Sequence, residues 1–346
     1  MENDVLKNLA HISQTAGSNP ALVQGGGGNT SAKIDEKIMA IKASGYGLSE
    51  VKTDSGFVKV NYANLLDYYR SVDPQEDRNF ADESTQLIMD NIVSQKKIKP
   101  SVETGFHSLL KKYVLHTHSV YANIACCTEE GSKLVEEIFS DTEIDPLWID
   151  YTHPGFYLTI EMMNQQNQYQ DQYSKKPSVI FMENHGPIVN GDQAPEVLAL
   201  DEQVNNQIKN YLDIDFDFPE TGVKKAGKKL YLSTSDYLID YFSKQDVAES
   251  FFYEYLYPDQ IVYLEDNVSF GDKDSRINID LDKQQIFYRA GKKEALAIEE
   301  TLAAVVYIRE QISRKDLTLQ TMSDKHVNLI KNMKAEKHRK EVMKGE

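Results

Sequence analysis

His116-Thr117-His118 and His185 are the side chains whose type and spacing best suit chemistry in this 346-residue chain. In an extended segment alternate side chains project the same way, about 6.6 Å apart, so His116 and His118 would share one face of a strand end. His185 follows the apolar run Ser178–Met182, in Glu183-Asn184-His185-Gly186. Three imidazoles with an open fourth position are the ligand set of a catalytic rather than a structural zinc site. An isolated His-x-His is common, and the second strand-end histidine is what strengthens the pattern. His11, His107, His326 and His338 read as core or surface histidines. His153, in Thr152-His153-Pro154-Gly155, either sits on a surface turn or lines the same cleft.

Glu103, in Pro100-Ser101-Val102-Glu103-Thr104-Gly105-Phe106-His107, falls in the first turn of an expected helix. There it is either a partner of the helix dipole or, beside a metal, a group that moves a proton. Gly25-Gly26-Gly27-Gly28-Asn29-Thr30-Ser31 and Ser44-Gly45 offer amides, hydroxyls and one carboxamide, which suit a phosphate cradle or a flexible turn. No Gly-Lys-Ser/Thr follows at P-loop spacing, and Thr30 stands where a dinucleotide fingerprint needs glycine or alanine.

The elements that must position these groups follow from hydrophobic period. Helices are predicted over residues 3–15, 83–95, 120–127 and 194–212, and from Leu65, with Ser101 as N-cap of one through Leu110. Strands are predicted near 37–42, 57–60, 113–116, 147–149 and 178–182. A helix is expected near 157–165, with Asn164–Tyr173 as a surface loop or frayed helix end. The pattern implies an α/β layered domain over residues 1–215. Asp213–Pro219 and Lys224–Lys229 read as a linker into a smaller C-terminal α+β unit, residues 216–346. That unit is expected to hold helices near 233–243, 246–255, 292–313 and 323–344, and strands near Ile261-Val262-Tyr263, 277–279 and 285–289.

Hydrophobic residues make up 40% and the 20 Tyr and 13 Phe supply ample core, which excludes disorder as the main state. The formal charge of −16 argues against a nucleic-acid partner. No apolar run approaches the roughly 20 residues that span a bilayer, and the N-terminus lacks signal-peptide character. The adjacent Cys126 and Cys127 form no disulfide framework and read as small core residues. A cytoplasmic protein without membrane contact is expected.

Together these residues resemble the class II aldolase/adducin family, through Gly28-Asn29-Thr30-Ser31, Ser44-Gly45, Pro100-Ser101-Val102-Glu103, His116-Thr117-His118 and Glu183-Asn184-His185-Gly186 in that order. The resemblance implies a three-layer α/β/α sandwich around a mostly antiparallel sheet, assembled as a homotetramer with active sites between subunits. It implies zinc on His116, His118 and His185, Glu103 as acid/base, and substrate phosphate bound by Gly28, Asn29, Ser44, Gly45 and Ser101. The implied activity is aldol cleavage of a ketose 1-phosphate such as rhamnulose or fuculose 1-phosphate to dihydroxyacetone phosphate and an aldehyde. Sugar-phosphate 4-epimerases, sugar-acid phosphate decarboxylases and non-catalytic adducin-like modules share the pattern. Val102 departs from the fuculose aldolases, which carry a second serine there. Residues 100–160, Pro258-Asp259-Gln260-Ile261-Val262-Tyr263-Leu264 and Lys334–Arg339 also look like the aldolase half of bifunctional rhamnulose-phosphate aldolase/short-chain dehydrogenases, without a nicotinamide-binding fingerprint.

Overall fold

The computed structural model describes residues 2–94, 98–244, 247–264, 268–271 and 274–333. Its first sheet contains β1 (Asn29–Lys33), β2 (Ile38–Lys42), β3 (Phe57–Asn61), β4 (Tyr113–His116), β5 (Leu147–Ile149), β6 (Val179–Met182) and β7 (Gly186–Gly191). The strand order is β3-β2-β1-β4-β7-β6-β5, and every pairing is antiparallel except β5 with β6.

Side-chain alternation gives this sheet two buried faces. Tyr113 and Leu115 of β4 join Val189 of β7 under α1 (Glu2–Gly17). Val114 and Ile188 point the other way, among Phe106, Leu158 and Met162. Helices α2 (Tyr62–Ser71), α3 (Phe80–Asp90), α4 (Thr104–Leu109) and α7 (Phe156–Tyr173) cover that second face. Helices α5 (Val120–Cys126), α6 (Gly131–Phe139) and α8 (Ala194–Tyr211) lie on the same side as α1. The result is the expected α/β/α sandwich.

Beyond residue 212 the chain forms β8 (Val223–Gly227), β9 (Leu230–Ser233), α9 (Asp236–Lys244), α10 (Pro258–Tyr263), β10 (Val268–Phe270), β11 (Ile277–Asp280), β12 (Gln285–Tyr288), α11 (Lys292–Arg314) and α12 (Asp324–Asn332). Their sheet runs β10-β11-β12-β9-β8.

Several local expectations change. Ile261-Val262-Tyr263 is helical rather than extended, because Pro258 pre-sets the first turn of α10 and a short buried apolar run carries no decisive period. Lys224 and Lys225 lie in edge strand β8 with their side chains exposed, where lysines discourage further pairing. Asn164–Tyr173 continues α7, burying Gln166 and Tyr169 and leaving its other polar residues largely outward. Of the helix expected over 246–255, the described residues 247–255 hold only a short 3-10 turn, Glu249–Phe252. Of the C-terminal helix expected over 323–344, α12 is described and residues 334–346, with Lys334–Arg339, lie outside the described residues.

The second sheet is separate from the first, but its core is not. Val120, Ile124, Phe181, Val204 and Ile208 of the sandwich share one apolar cluster with Tyr263, Ile298, Leu302, Val305 and Tyr307. Removing residues 216–346 would uncover that cluster. At about 1.5–3 kcal/mol per large side chain, exposing roughly five of them approaches the whole net stability of a domain, about 5–15 kcal/mol. A fragment ending at residue 215 is therefore expected to bind a hydrophobic dye and to melt well below the full chain. Cooperative melting of that fragment at the full-chain temperature would show the two cores to be independent.

His107 ties α4 to the sheet through Ser31 Oγ, 2.8 Å from its Nδ1, and its Nε2 is buried without a hydrogen-bond partner among the described residues. Burial pulls its pKa down from 6.5 to about 4. The unfolded chain then binds the proton more readily, so stability is complete above pH 6.5 and falls as pH drops toward 4. The drop amounts to about 3 kcal/mol at most. Denaturant melts across pH 4–7 are expected to show a shallower acid loss in His107→Gln than in the wild type; an unchanged slope would place the acid sensitivity elsewhere.

Candidate metal centre and active site

β4 delivers the first two histidines. His116 is its last residue, and His118 follows it immediately before Ser119, which caps α5 by accepting from Ala122 N–H. His185 lies in the tight turn from β6 to β7, where Asn184 adopts φ +49°. Antiparallel pairing of β4 with β7, His116 opposite Ile188, brings the two strand ends together. The three side chains are buried and offer one ligand nitrogen each, all within 4.8 Å of one another.

Partners on the far side of two rings fix their orientation. His116 Nδ1–H donates to Pro187 O at 2.9 Å. His118 Nδ1–H donates to Asp259 Oδ2 at 2.5 Å. Both Nε2 atoms are then lone-pair donors, and they face each other at 3.2 Å. Two lone pairs at that distance repel unless a cation sits between them. The donor set therefore suits a divalent transition metal, for which neutral imidazole is an ordinary ligand. Burial lowers the pKa of His116 well below 6.5, which keeps it in the neutral, ligating form.

Glu103 stands at the same point. Its Oε1 is 3.1 Å from His185 Nε2 and its Oε2 is 3.9 Å from His116 Nε2. Residue 103 precedes α4 at its N-cap position, but its side chain makes no cap hydrogen bond and turns into the site. The helix begins at Thr104 rather than after Ser101, whose Oγ instead accepts from Glu103 N–H at 3.2 Å. Burial alone would raise the Glu103 pKa, but the positive charge that His116 and His185 take up on acidification overcomes it and holds the carboxyl below its ordinary range. Glu103 is ionised at neutral pH, the form that accepts a proton.

The cleft above this point is lined by Gly28, Asn29, Ser44, Gly45, Ser101 and Val102, together with Lys42 and Pro258. Every residue singled out for phosphate contact therefore borders one opening. Gly28 adopts φ +65°, and a Cβ there would meet His116 O at 2.7 Å, so only glycine lets the loop pass the strand end. Asn29 opens β1 rather than lying in a loop, and its Nδ2–H donates to Glu103 Oε2. His153 stays outside the cleft, in an adjoining groove with Pro154, Phe156 and Met333.

Two groups went unread in the sequence. Lys42 is buried at the end of β2 with its Nζ 2.6 Å from Tyr46 O and 3.2 Å from Gly26 O, which puts a cation at the cleft wall. Its signal was a lone lysine closing the apolar strand Ile38–Ile41, two residues before Ser44. Asp259 lay within a quoted segment, but only the three-dimensional fold sets it against His118. Cys126 and Cys127 are buried, with burial raising both thiol pKa values, and neither lines the cleft.

The family pattern of the class II aldolase and adducin N-terminal domain matches residues 7–212. A Bacillus subtilis (strain 168) protein named uncharacterized oxidoreductase YuxG is 26% identical over 221 residues, 60% of this chain and 30% of the relative. The chain thus spans less than a third of that relative's length. The N-terminal class II aldolase domain of a conserved protein from Thermoplasma acidophilum superposes with a TM-score of 0.50 at 25% identity, over 59% of this chain and 92% of the other. A sugar-phosphate aldolase from Thermotoga maritima gives a looser likeness, TM-score 0.43 at 14% identity, over 62% and 97%. No helix among the described residues is long and apolar enough to cross a membrane. The matched segment contains the whole first sheet, the three histidines and Glu103, and the chain belongs to the class II aldolase and adducin family.

Proposed function

We propose that this protein is a zinc-dependent lyase that cleaves a ketose 1-phosphate, of the rhamnulose or fuculose 1-phosphate type, to dihydroxyacetone phosphate and an aldehyde. The observation that carries the reading is the convergence of three buried imidazoles and the Glu103 carboxylate beneath a cleft rimmed by hydroxyls, glycines and a lysine. His116, His118 and His185 would hold the ion. When bound, it supplies Lewis acidity toward a carbonyl oxygen and the neighbouring hydroxyl, the charge stabilisation that aldol cleavage requires.

The chain's own groups do the rest. Ser44, Gly45 and Ser101 bind the phosphate, with Gly28 shaping the wall and Lys42 adding positive charge from beneath. Val102 contributes no hydroxyl, so this lysine takes a larger share of phosphate recognition. Asn29 holds Glu103 Oε2, and the carboxylate, with Oε1 3.1 Å from His185 Nε2, would exchange a proton with the substrate carbon. No tyrosine is among the described residues that line the cleft. A homotetramer with clefts near its interfaces would let a neighbouring subunit supply the hydroxyl that exchanges a proton with the aldehyde oxygen. Sedimentation tests that assembly.

Incubation with zinc, dihydroxyacetone phosphate and a panel of short aldehydes is expected to yield ketose phosphates. An isomerised or decarboxylated sugar phosphate in place of two cleavage fragments would replace aldol chemistry by epimerisation or decarboxylation on the same residues. His118→Ala is expected to lose most bound zinc while keeping its circular dichroism spectrum. Stoichiometric zinc in a protein with all three histidines changed to alanine would remove the site. Glu103→Gln separates roles: zinc content should persist while turnover falls about 10²–10⁴-fold. If Glu103 were only a charge at a helix start, the same change would cost about 0.3–1 kcal/mol of stability and leave turnover intact.

A further inference from the structure

The C-terminal unit reaches the metal centre most directly through Asp259. Asp259 lies in the first turn of α10, is fully buried, and its Oδ2 accepts from His118 Nδ1–H at 2.5 Å. The sandwich supplies the imidazole and the second unit the carboxylate, 141 residues later in the chain.

The glycine-rich loop carries an independent mark of this pairing. Gly27 has no unusual backbone angle that would call for glycine, yet a Cβ there would lie 2.2 Å from Asp259 Oδ2 and 2.8 Å from His118 Nδ1. Any larger residue would drive the carboxylate and the imidazole apart. α10 is itself held to the same loop, since Gly26 N–H donates to Tyr263 Oη at 2.8 Å. The Tyr257 ring packs edge-on against His118, with centroids 5.9 Å apart. Glycine at position 27 leaves the room that the Asp259–His118 contact occupies.

We propose that Asp259 is a positioning residue of the metal centre, which fixes the His118 tautomer with Nε2 toward the ion and makes metal loading depend on the C-terminal unit. A carboxylate on the outer nitrogen of a ligating imidazole orients the ring and raises its basicity, and losing such a partner typically costs 10–100-fold in metal affinity. The inference rests on the triad reading of the metal site, and its test separates the two.

Metal-free full-length protein is titrated with Co²⁺, followed by visible absorption, and then with Zn²⁺ in competition. Asp259→Ala is expected to bind 10–100-fold more weakly and with an altered cobalt spectrum. Asp259→Asn keeps an acceptor for Nδ1–H and should recover part of that loss. Gly27→Ala reaches the same contact from the opposite side and should weaken binding without replacing a ligand. Thermal melts of the metal-free variants distinguish lost positioning from lost folding; if the alanine variant at 259 does not fold, the asparagine and Gly27→Ala proteins carry the test. Wild-type metal affinity and spectrum in folded Asp259 and Gly27 variants would overturn the role of Asp259 and leave the triad standing. A wild-type protein that takes up neither metal would overturn the triad and this inference together.

Discussion

Burying imidazole nitrogens without stranding them is the constraint on which the site depends. A buried polar atom left unpaired costs on the order of 1–3 kcal/mol, so each ring must place one nitrogen against the protein if the other is to be offered to a ligand. His116 does this against Pro187 O on the neighbouring strand, a contact set by the β4–β7 register. His118 lies beyond the end of β4, where no strand carbonyl meets its Nδ1, and takes Asp259 from outside the sandwich. The turn that carries His185 is held from the same side through its neighbour: Asn184 Nδ2–H donates to Leu256 O at 2.8 Å and to Gln320 O at 3.0 Å, both in the second unit. Two of the three histidines are therefore fixed by residues beyond position 215.

This dependence gives physical meaning to the shared core. α11 is largely buried along its 23 residues and packs against α5, the helix that begins just after His118. The same packing that gives the C-terminal unit its stability holds α10 at the depth where Asp259 meets the ring. A sandwich that met only its own structural needs would not require so much apolar surface on the outer side of α5.

The parts of the site that were legible in sequence are those governed by local rules. His-x-His shares a face because strands alternate, and a histidine before glycine at the next strand end is a short-range pattern of the same kind. Ser44-Gly45 and Gly28-Asn29 border the cleft because each closes or opens a strand of one sheet. What escaped depends on distant partners. Asp259 reads as one acid among many until α10 is folded, and α10 itself looked like a strand because Ile261-Val262-Tyr263 has no decisive period. β8 was hidden for a different reason: an edge strand whose lysines face water has the composition of a linker.

The glycine run shows how structure redirects such a signal. Four glycines before Asn29 suggest free amides for a phosphate, but several of those amides are already engaged. Gly25 N–H donates to Glu300 Oε2 at 2.8 Å, Gly26 N–H to Tyr263 Oη at 2.8 Å, and Gly27 N–H to Gln24 O at 3.0 Å. Burial raises the pKa of Glu300 to about 7, and the Gly25 amide partly offsets that cost. The run is glycine because the chain must thread between the strand end bearing His116 and the helices of the second unit, where Cβ atoms at 25, 27 and 28 would lie within 3 Å of a neighbouring atom. Its first two amides serve the joint between the two halves, and the third closes the loop on Gln24. On the proposed reading, anion recognition would then fall to the groups that remain at the opening: the hydroxyls of Ser44 and Ser101, the Gly45 turn and the Lys42 ammonium.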